Sequence, residues 1–162
     1  MCMNYMRMCH TATNLMNGYI LITGGKSIND VVLNSAELYC IETGEFSFTS
    51  PMIYERDFHV AINLMDRVLI IGGRGEDYEF LNSCEIYNIY TKEFYRVDDM
   101  VERRYCPCVT NLENMNLLIT GGTNQIMSWS VSTFMLKHSP LIVDLSHNSM
   151  EIGLNTCELY EI

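Results

Sequence analysis

The residues best suited to chemistry in this sequence are histidines and cysteines, which favour metal binding. A structural zinc site needs four ligands, which commonly come in spaced pairs such as CxxC and HxxxH. Cys106 and Cys108 are two residues apart, and no second pair completes the set. His10 and His59 stand at equivalent places in the phrases "HTATNL" and "HVAINL". A position that recurs with its phrase indicates a structural role, so we predict no metal site and no cofactor.

Nucleophilic catalysis has no support in the sequence. The Gly-x-Ser-x-Gly motif that carries the nucleophile of many hydrolases is absent. The Gly-Gly doublets that end at Gly25, Gly73 and Gly122 each follow an apolar run and lead into a polar turn. A phosphate-binding loop would instead lead into a helix. We therefore expect no catalytic residue and no enzymatic activity.

Three arginines share one position of a repeated pattern, four residues after a methionine and shortly before an apolar segment: Arg7, Arg56 and Arg104. Two roles are open for them. Each guanidinium group could bind the carbonyls at a strand end or a nearby glutamate, such as Glu37 or Glu85, and would then be structural. Alternatively, the three could lie on one surface that binds a partner. Asp77 and Tyr78, in the charged and aromatic turn "RGEDYEF", are further candidates for that surface.

The sequence repeats itself with a period of 48 to 49 residues. The phrase "LNSAELY" at 33–39 returns as "LNSCEIY" at 81–87 and as "LNTCELY" at 154–160. A period of this size is typical of propellers and solenoids. We divide the single domain, residues 1–162, into units at about 3–51, 52–99 and 100–137, followed by a degenerate unit at 138–162.

Each of the first two units contains four short segments rich in Ile, Val, Leu, Tyr, Phe and Thr, separated by turns such as "MNG" and "ETGE". Segments of this length and composition predict β-strands. The runs "ILI" and "LII" are apolar at every position, which predicts an inner strand covered on both faces. We predict an all-β fold in which each unit forms a four-stranded antiparallel sheet, the pattern of β-propeller blades.

In these units the chain resembles the kelch repeat family. The resemblance is carried by "RMCHTATNLMNGYILITGG" with "LNSAELY" and by "RDFHVAINLMDRVLIIGG" with "LNSCEIY", and residues 3–122 carry most of it. The Gly-Gly doublet and the Tyr of "ELY" or "EIY" are marks of the family. Phe46 and Phe94 stand where the family more often has Trp. The resemblance implies kelch-type propeller blades.

The resemblance also implies a function. Kelch domains are often non-catalytic protein-interaction modules that present propeller loops to a partner, and some recognise substrates for ubiquitin ligases. In several of them, arginines near the position of Arg7, Arg56 and Arg104 line a shallow pocket that binds an acidic peptide motif. We therefore expect a protein partner, with an acidic peptide as the bound segment.

Two alternatives stay open. A propeller of the galactose-oxidase or carbohydrate-binding kind would carry a signal peptide, paired cysteines, and histidine and tyrosine clusters outside the repeat. None of these features is found in the sequence. The other alternative is a degenerate fragment without its own activity, which codon-level substitution patterns would reveal.

Composition limits the partner and the compartment. The net charge of −10 and the pI of about 4.7 argue against nucleic acid, because phosphate binding needs clustered Lys and Arg. No apolar run approaches the roughly 20 residues that cross a bilayer. The seven cysteines are an odd number, and most lie in apolar segments. We expect no membrane contact, reduced cysteines and a cytoplasmic location.

The third unit departs from the pattern. After Gly122 the repeated phrase is due near residue 130 but appears at 154, so we interpret "IMSWSVSTFM" at 126–135 as an eroded third strand. Residues 141–160 then align with residues 20–39 as the degenerate fourth unit. Three units and a remnant predict an incomplete or small propeller. Because open blade edges are free to pair, we expect homo-oligomers to form through them.

Overall fold

The structure, a computed structural model, describes residues 2–112, 116–124, 141–144 and 152–153. These residues form twelve β-strands and one short 3₁₀-helix. They include no helix with the length and apolarity that a membrane crossing needs. The strands assemble into three four-stranded sheets in which every neighbouring pair is antiparallel. The predicted all-β fold of four-stranded antiparallel sheets is therefore confirmed.

The first two sheets are each built from four consecutive strands. Sheet 1 contains β1 (Thr11–Asn14), β2 (Tyr19–Thr23), β3 (Ala36–Cys40) and β4 (Phe46–Phe48). Sheet 2 contains β5 (Val60–Asn63), β6 (Arg67–Ile71), β7 (Cys84–Asn88) and β8 (Glu93–Val97). Equivalent residues pair in both, since Leu21 lies opposite Leu38 and Leu69 lies opposite Ile86. The sequence repeat is thus a repeat of strand register.

Sheet 3 takes its strands from a longer part of the chain. It contains β9 (Tyr105–Asn111), β10 (Asn116–Thr123), β11 (Leu141–Asp144) and β12 (Ile152–Gly153). β11 pairs with β10, with Val143 opposite Leu117. The sequence alignment had instead matched residues 141–144 to the second strand of a fourth unit. The third strand expected at 126–135 and the phrase at 154–160 lie outside the described residues.

Sheet 2 is covered on both faces, and β6 is the strand that shows it. Val68 and Ile70 face sheet 1, whereas Leu69 and Ile71 face sheet 3, and all four are fully buried. Their main partners are Leu21 and Leu38 in sheet 1 and Leu117 and Ile119 in sheet 3. Burying an aliphatic side chain of this size contributes about 1.5–3 kcal/mol. The prediction that "LII" forms an inner strand with two covered faces is confirmed. The same prediction for "ILI" holds only in part, because Leu21 is buried against sheet 2 whereas Ile20, on the other face, is half-buried.

The first strands of successive sheets lie side by side, β1 near β5 and β5 near β9. The Gly-Gly doublets permit the close approach between units. Gly24 and Gly25 have φ angles of +59° and +90°, which glycine adopts without steric cost. A Cβ on Gly24 would lie 2.4 Å from the carbonyl oxygen of Arg56, and the Gly25 N–H donates a 2.8 Å hydrogen bond to that oxygen. The doublet therefore joins sheet 1 to the loop that precedes sheet 2.

Candidate functional site

The repeated arginines are buried in their own units, and Arg56 shows how. Its Nη1 donates to the carbonyl oxygens of Gly72 at 2.7 Å and Ser83 at 3.0 Å. Its Nη2 donates to Ser83 Oγ at 3.1 Å and to Glu85 Oε1 at 2.7 Å. The side chains of Arg56 and Glu85 have no exposed area. The ion pair therefore fixes the loop before β5 against the ends of β6 and β7.

Arg7 repeats this arrangement in sheet 1. It donates to Gly24 O at 2.8 Å, to Ser35 O and Oγ at 2.9 and 3.2 Å, and to Glu37 Oε1 at 2.7 Å. Glu37 also accepts hydrogen bonds from the backbone and side chain of Asn4, at 2.8 and 2.9 Å. Burial acts to raise the pKa of Glu37, but the hydrogen bonds from Asn4 and Arg7 outweigh it and lower that pKa. The carboxylate therefore stays charged opposite Arg7.

Arg104 occupies the third equivalent position and is also buried. It donates to Gly121 O at 2.7 Å and to Glu102 Oε2 at 3.2 Å, and burial lowers the pKa of its guanidinium group. Of the two roles that the sequence left open, this geometry supports the structural one. Guanidinium groups covered by their own units have no surface to offer a partner. The predicted partner-binding role of Arg7, Arg56 and Arg104 finds no support in this geometry, because all three are buried.

The other two predicted residues, Asp77 and Tyr78, lie together on an exposed loop between β6 and β7. They belong to the 3₁₀-helix Glu76–Tyr78 and have left-handed φ angles of 57° and 61°. The Tyr78 hydroxyl donates a 2.6 Å hydrogen bond to Asp30 Oδ2, in the corresponding loop of sheet 1. Asp30 is also paired with Lys26. We call these linked loops, residues 26–32 and 74–80, the loop surface.

Arg74 supports the loop surface. Its Nε and Nη2 donate to the two carboxylate oxygens of Asp57 at 3.0 and 2.5 Å, and these bonds raise the pKa of Arg74. Its guanidinium carbon lies 4.9 Å from the ring centre of Tyr78 and 5.5 Å from those of Phe58 and Tyr105. A cation over aromatic rings at these distances is attracted to them. Arg74 therefore holds Tyr78 in its exposed position.

The sequence reasoning missed Arg74. A signal was present, because Lys26 and Arg74 directly follow the Gly-Gly doublets of the first two units. A cation at the same place in two units indicates that the two side chains have equivalent roles. Its two aromatic partners outside the loop, Phe58 earlier in the same unit and Tyr105 in the next unit, carry no such signal.

The surface beside Asp77 is a shallow acidic groove. Its lining consists of Tyr54, Glu55, Gly75, Glu76, Asp77, Glu79 and Leu81. Glu76, Asp77 and Glu79 are exposed. Four of the seven lining residues are carboxylates, and one of them, Glu79, lies 3.5 Å from Arg103. The groove therefore has an excess of negative charge.

The histidine that the repeat placed in sheet 2 is structural. His59 is buried, and its Nε2 lies 2.9 Å from the Thr11 hydroxyl and 3.0 Å from the Thr23 hydroxyl. Burial lowers the pKa of His59 well below its ordinary value. The neutral ring therefore links β5 to sheet 1. Among the described residues, no three His, Cys, Asp or Glu side chains form a group that could hold a metal ion.

Comparison of the chain with protein-family models gives no match, and comparison with curated proteins gives none either. A proposal for its function therefore depends on the residues and contacts of the chain itself.

Proposed function

We propose that the chain is a kelch-type, non-catalytic protein-interaction module of the cytoplasm that presents its loop surface to a protein partner. The observation that carries the proposal is the exposed pair Asp77 and Tyr78. Consecutive non-glycine residues in left-handed conformations are strained, and such strain clusters at binding sites that the surrounding structure holds in place. Here Asp30 and Arg74 hold Tyr78. A loop already held in one conformation binds without a further loss of conformational entropy.

The charges beside the loop favour a basic segment in the partner. The acidic peptide implied by the family resemblance depended on three arginines that are buried. The groove instead offers Glu55, Glu76, Asp77 and Glu79, and complementary charge steers and orients association. Tyr78 is 54% exposed, and since Arg74 and Lys26 already lie 4.9 and 6.0 Å from its ring centre, it adds an apolar contact surface beside the groove. Recognition of a substrate for a ubiquitin ligase is one setting in which such a module would serve.

Selection of a phage-displayed random peptide library on the immobilised chain tests this proposal. We expect enrichment of peptides that contain Lys or Arg, with affinities that fall as salt concentration rises. The change Tyr78→Ala should weaken binding of a selected peptide by about tenfold or more, as expected for loss of an aromatic anchor.

Tyr90→Ala is the matched control, because Tyr90 is 81% exposed and lies in the turn between β7 and β8. It should bind the selected peptides as the unchanged chain does. A library that enriches nothing, or peptides that bind Tyr78→Ala with unchanged affinity, would contradict the proposal.

A further inference from the structure

Sheet 1 has one face covered by sheet 2 and a second face that the described residues cover only in part. Strand register places Ile20, Tyr39, Phe46 and Phe48 on the second face, since Ile20 pairs with Tyr39 and Tyr39 with Phe46. Phe48 is 60% exposed and the other three are half-buried. We call these four residues the open face. An apolar, aromatic sheet face of this kind is typical of an interface.

The same face of sheet 2 is already an interface within the chain. The counterparts of Ile20, Tyr39 and Phe46, one repeat later, are Val68, Tyr87 and Phe94. Val68 and Tyr87 have no exposed area, and all three belong to the core shared with sheet 1. The ring pairs Tyr39–Phe46 and Tyr87–Phe94 both have centroids 4.8 Å apart. The open face is thus built as a surface that another sheet covers.

At the other end of the series, the described residues leave one face of sheet 3 only partly covered. Leu118 pairs with Thr110 and Thr120 pairs with Cys108 on one side of β9 and β10. Thr110 and Cys108 are exposed, and Leu118 and Thr120 are half-buried. Their counterparts in sheet 2 include Ile62, Leu69 and Ile71, which pack against sheet 3. This face of sheet 3 is therefore equivalent to the faces of sheets 1 and 2 that pack against the following sheet.

One polar contact between sheets supports the same correspondence between repeat positions. His59 meets the Thr23 hydroxyl of the preceding sheet at 3.0 Å. His10 is the counterpart of His59, and Thr120 is the counterpart of Thr23. In the part of the chain that the structure describes, His10 has no threonine hydroxyl opposite it. Placing sheet 3 of another chain before sheet 1 would bring Thr120 to His10.

We propose that the open face is occupied by sheet 3 of a second copy of this chain, and that two copies close one ring of six sheets. The junction between copies would continue the interface that already joins sheets 1 and 2 and sheets 2 and 3. Because the two surfaces differ, the contact is head-to-tail, and such contacts form a ring when the rotation closes. Six four-stranded sheets lie within the range of about 4–8 found in propellers.

The test is the solution mass of the full chain, measured by sedimentation equilibrium over a range of concentrations. We expect a species of twice the 18.7 kDa chain mass. Tyr39→Glu should raise its dissociation constant by about thirtyfold or more, as for loss of a buried aromatic anchor, because its counterpart Tyr87 is fully buried between sheets 1 and 2. Tyr39 is half-buried within one chain, and an unchanged circular dichroism spectrum shows that the variant still folds. Tyr90→Glu is the matched control and should dimerise normally.

A mixing experiment separates head-to-tail contact from pairing of two open faces. Leu118→Glu alters the sheet 3 surface and should also weaken dimerisation. A mixture of Tyr39→Glu and Leu118→Glu should regain part of the association, since it restores one unaltered junction. A chain that stays at 18.7 kDa at every concentration, a Tyr39→Glu variant that dimerises normally, or a mixture that regains nothing would each overturn the proposal.

Discussion

Each of the first two units buries an ion pair between an arginine and a glutamate. Arg56 and Glu85 are both removed from solvent, yet each makes several hydrogen bonds besides the ion pair. A buried pair adds little net stability compared with an apolar replacement, but loss of one partner leaves an uncompensated charge. The same pair in sheet 1, Arg7 with Glu37, indicates that the first two units use it to fix the loop before the first strand in one arrangement.

Arg56→Ala should lower the free energy of unfolding by about 3–5 kcal/mol, because Glu85 would remain buried without its partner. Arg67→Ala is the matched control, since the ion pair between Arg67 and Asp66 is 45% and 46% exposed and should contribute less than about 1 kcal/mol. Urea titration monitored by circular dichroism measures both. Equal effects of the two changes would contradict the structural role assigned to Arg56.

The buried histidine makes stability depend on pH. Burial, with the nearby charge of Arg56 and the neighbouring His10, holds the pKa of His59 well below 6.5. The unfolded chain therefore binds a proton near pH 6.5 that the folded chain does not bind. Stability should be constant above that pH and fall below it, by at most about 1.4 kcal/mol per pH unit for this group.

Unfolding titrations between pH 8 and pH 5 measure this slope. Burial also lowers the pKa of His10, so His10→Gln should remove part of the slope and His59→Gln the larger part. Glu37 does not contribute in this range, because its lowered pKa matters only as the pH falls below about 4.5. A slope that persists unchanged in His59→Gln would show that the ring is not the group responsible.

The junction between one sheet and the next depends on a close backbone contact between a glycine and a carbonyl oxygen of the following unit. The Gly-Gly doublet ends the second strand of a unit and approaches the arginine of the following unit. Gly72 repeats the contact of Gly24, because its Cβ would lie 2.6 Å from the carbonyl oxygen of Arg104. The first two units thus each contact the following unit through a glycine that lies close to the carbonyl oxygen of the next arginine.

Gly24→Ala should destabilise the chain more than Gly18→Ala. Both glycines have positive φ, which costs an alanine about 1–2 kcal/mol. At Gly18 a Cβ meets nothing within 4 Å, whereas at Gly24 it meets backbone at 2.4 Å. The Gly24 variant should therefore lose at least about twice as much stability, measured by thermal unfolding. Equal losses would mean that the close approach is not maintained in solution.

Sheet 2 lies at the centre of the described part of the chain, between sheets 1 and 3. Its central strand β6 contributes to the core with sheet 1 and to the core with sheet 3. Stability is therefore expected to be highest at β6 and lower at strands such as β4, whose Phe48 is exposed.

Ile70→Ala should reduce the free energy of unfolding by about 2–5 kcal/mol through the cavity it leaves. Ile41→Ala, at a residue that is mostly exposed, should change it by less than about 0.5 kcal/mol. Native-state hydrogen exchange should show the slowest amides in β6, accelerated by Ile70→Ala. Slower exchange in β4 than in β6 would contradict this central position of sheet 2.

Local patterns in the sequence predict the strands of the first two sheets and the two covered faces of β6. These features depend on local patterns, namely apolar runs, turn residues and a period that can be counted directly. The equivalence of Arg7, Arg56 and Arg104 was equally visible, and so was the exposed turn that contains Asp77 and Tyr78.

The burial of the arginines and the segment that completes sheet 3 are visible only in the tertiary structure. It also brought Tyr78 to Asp30 and His59 to Thr23. These partners lie 48 and 36 residues apart in the chain. A repeat places a side chain at a known step of its unit, but burial and pairing are set by the neighbouring sheet, whose approach no local pattern encodes.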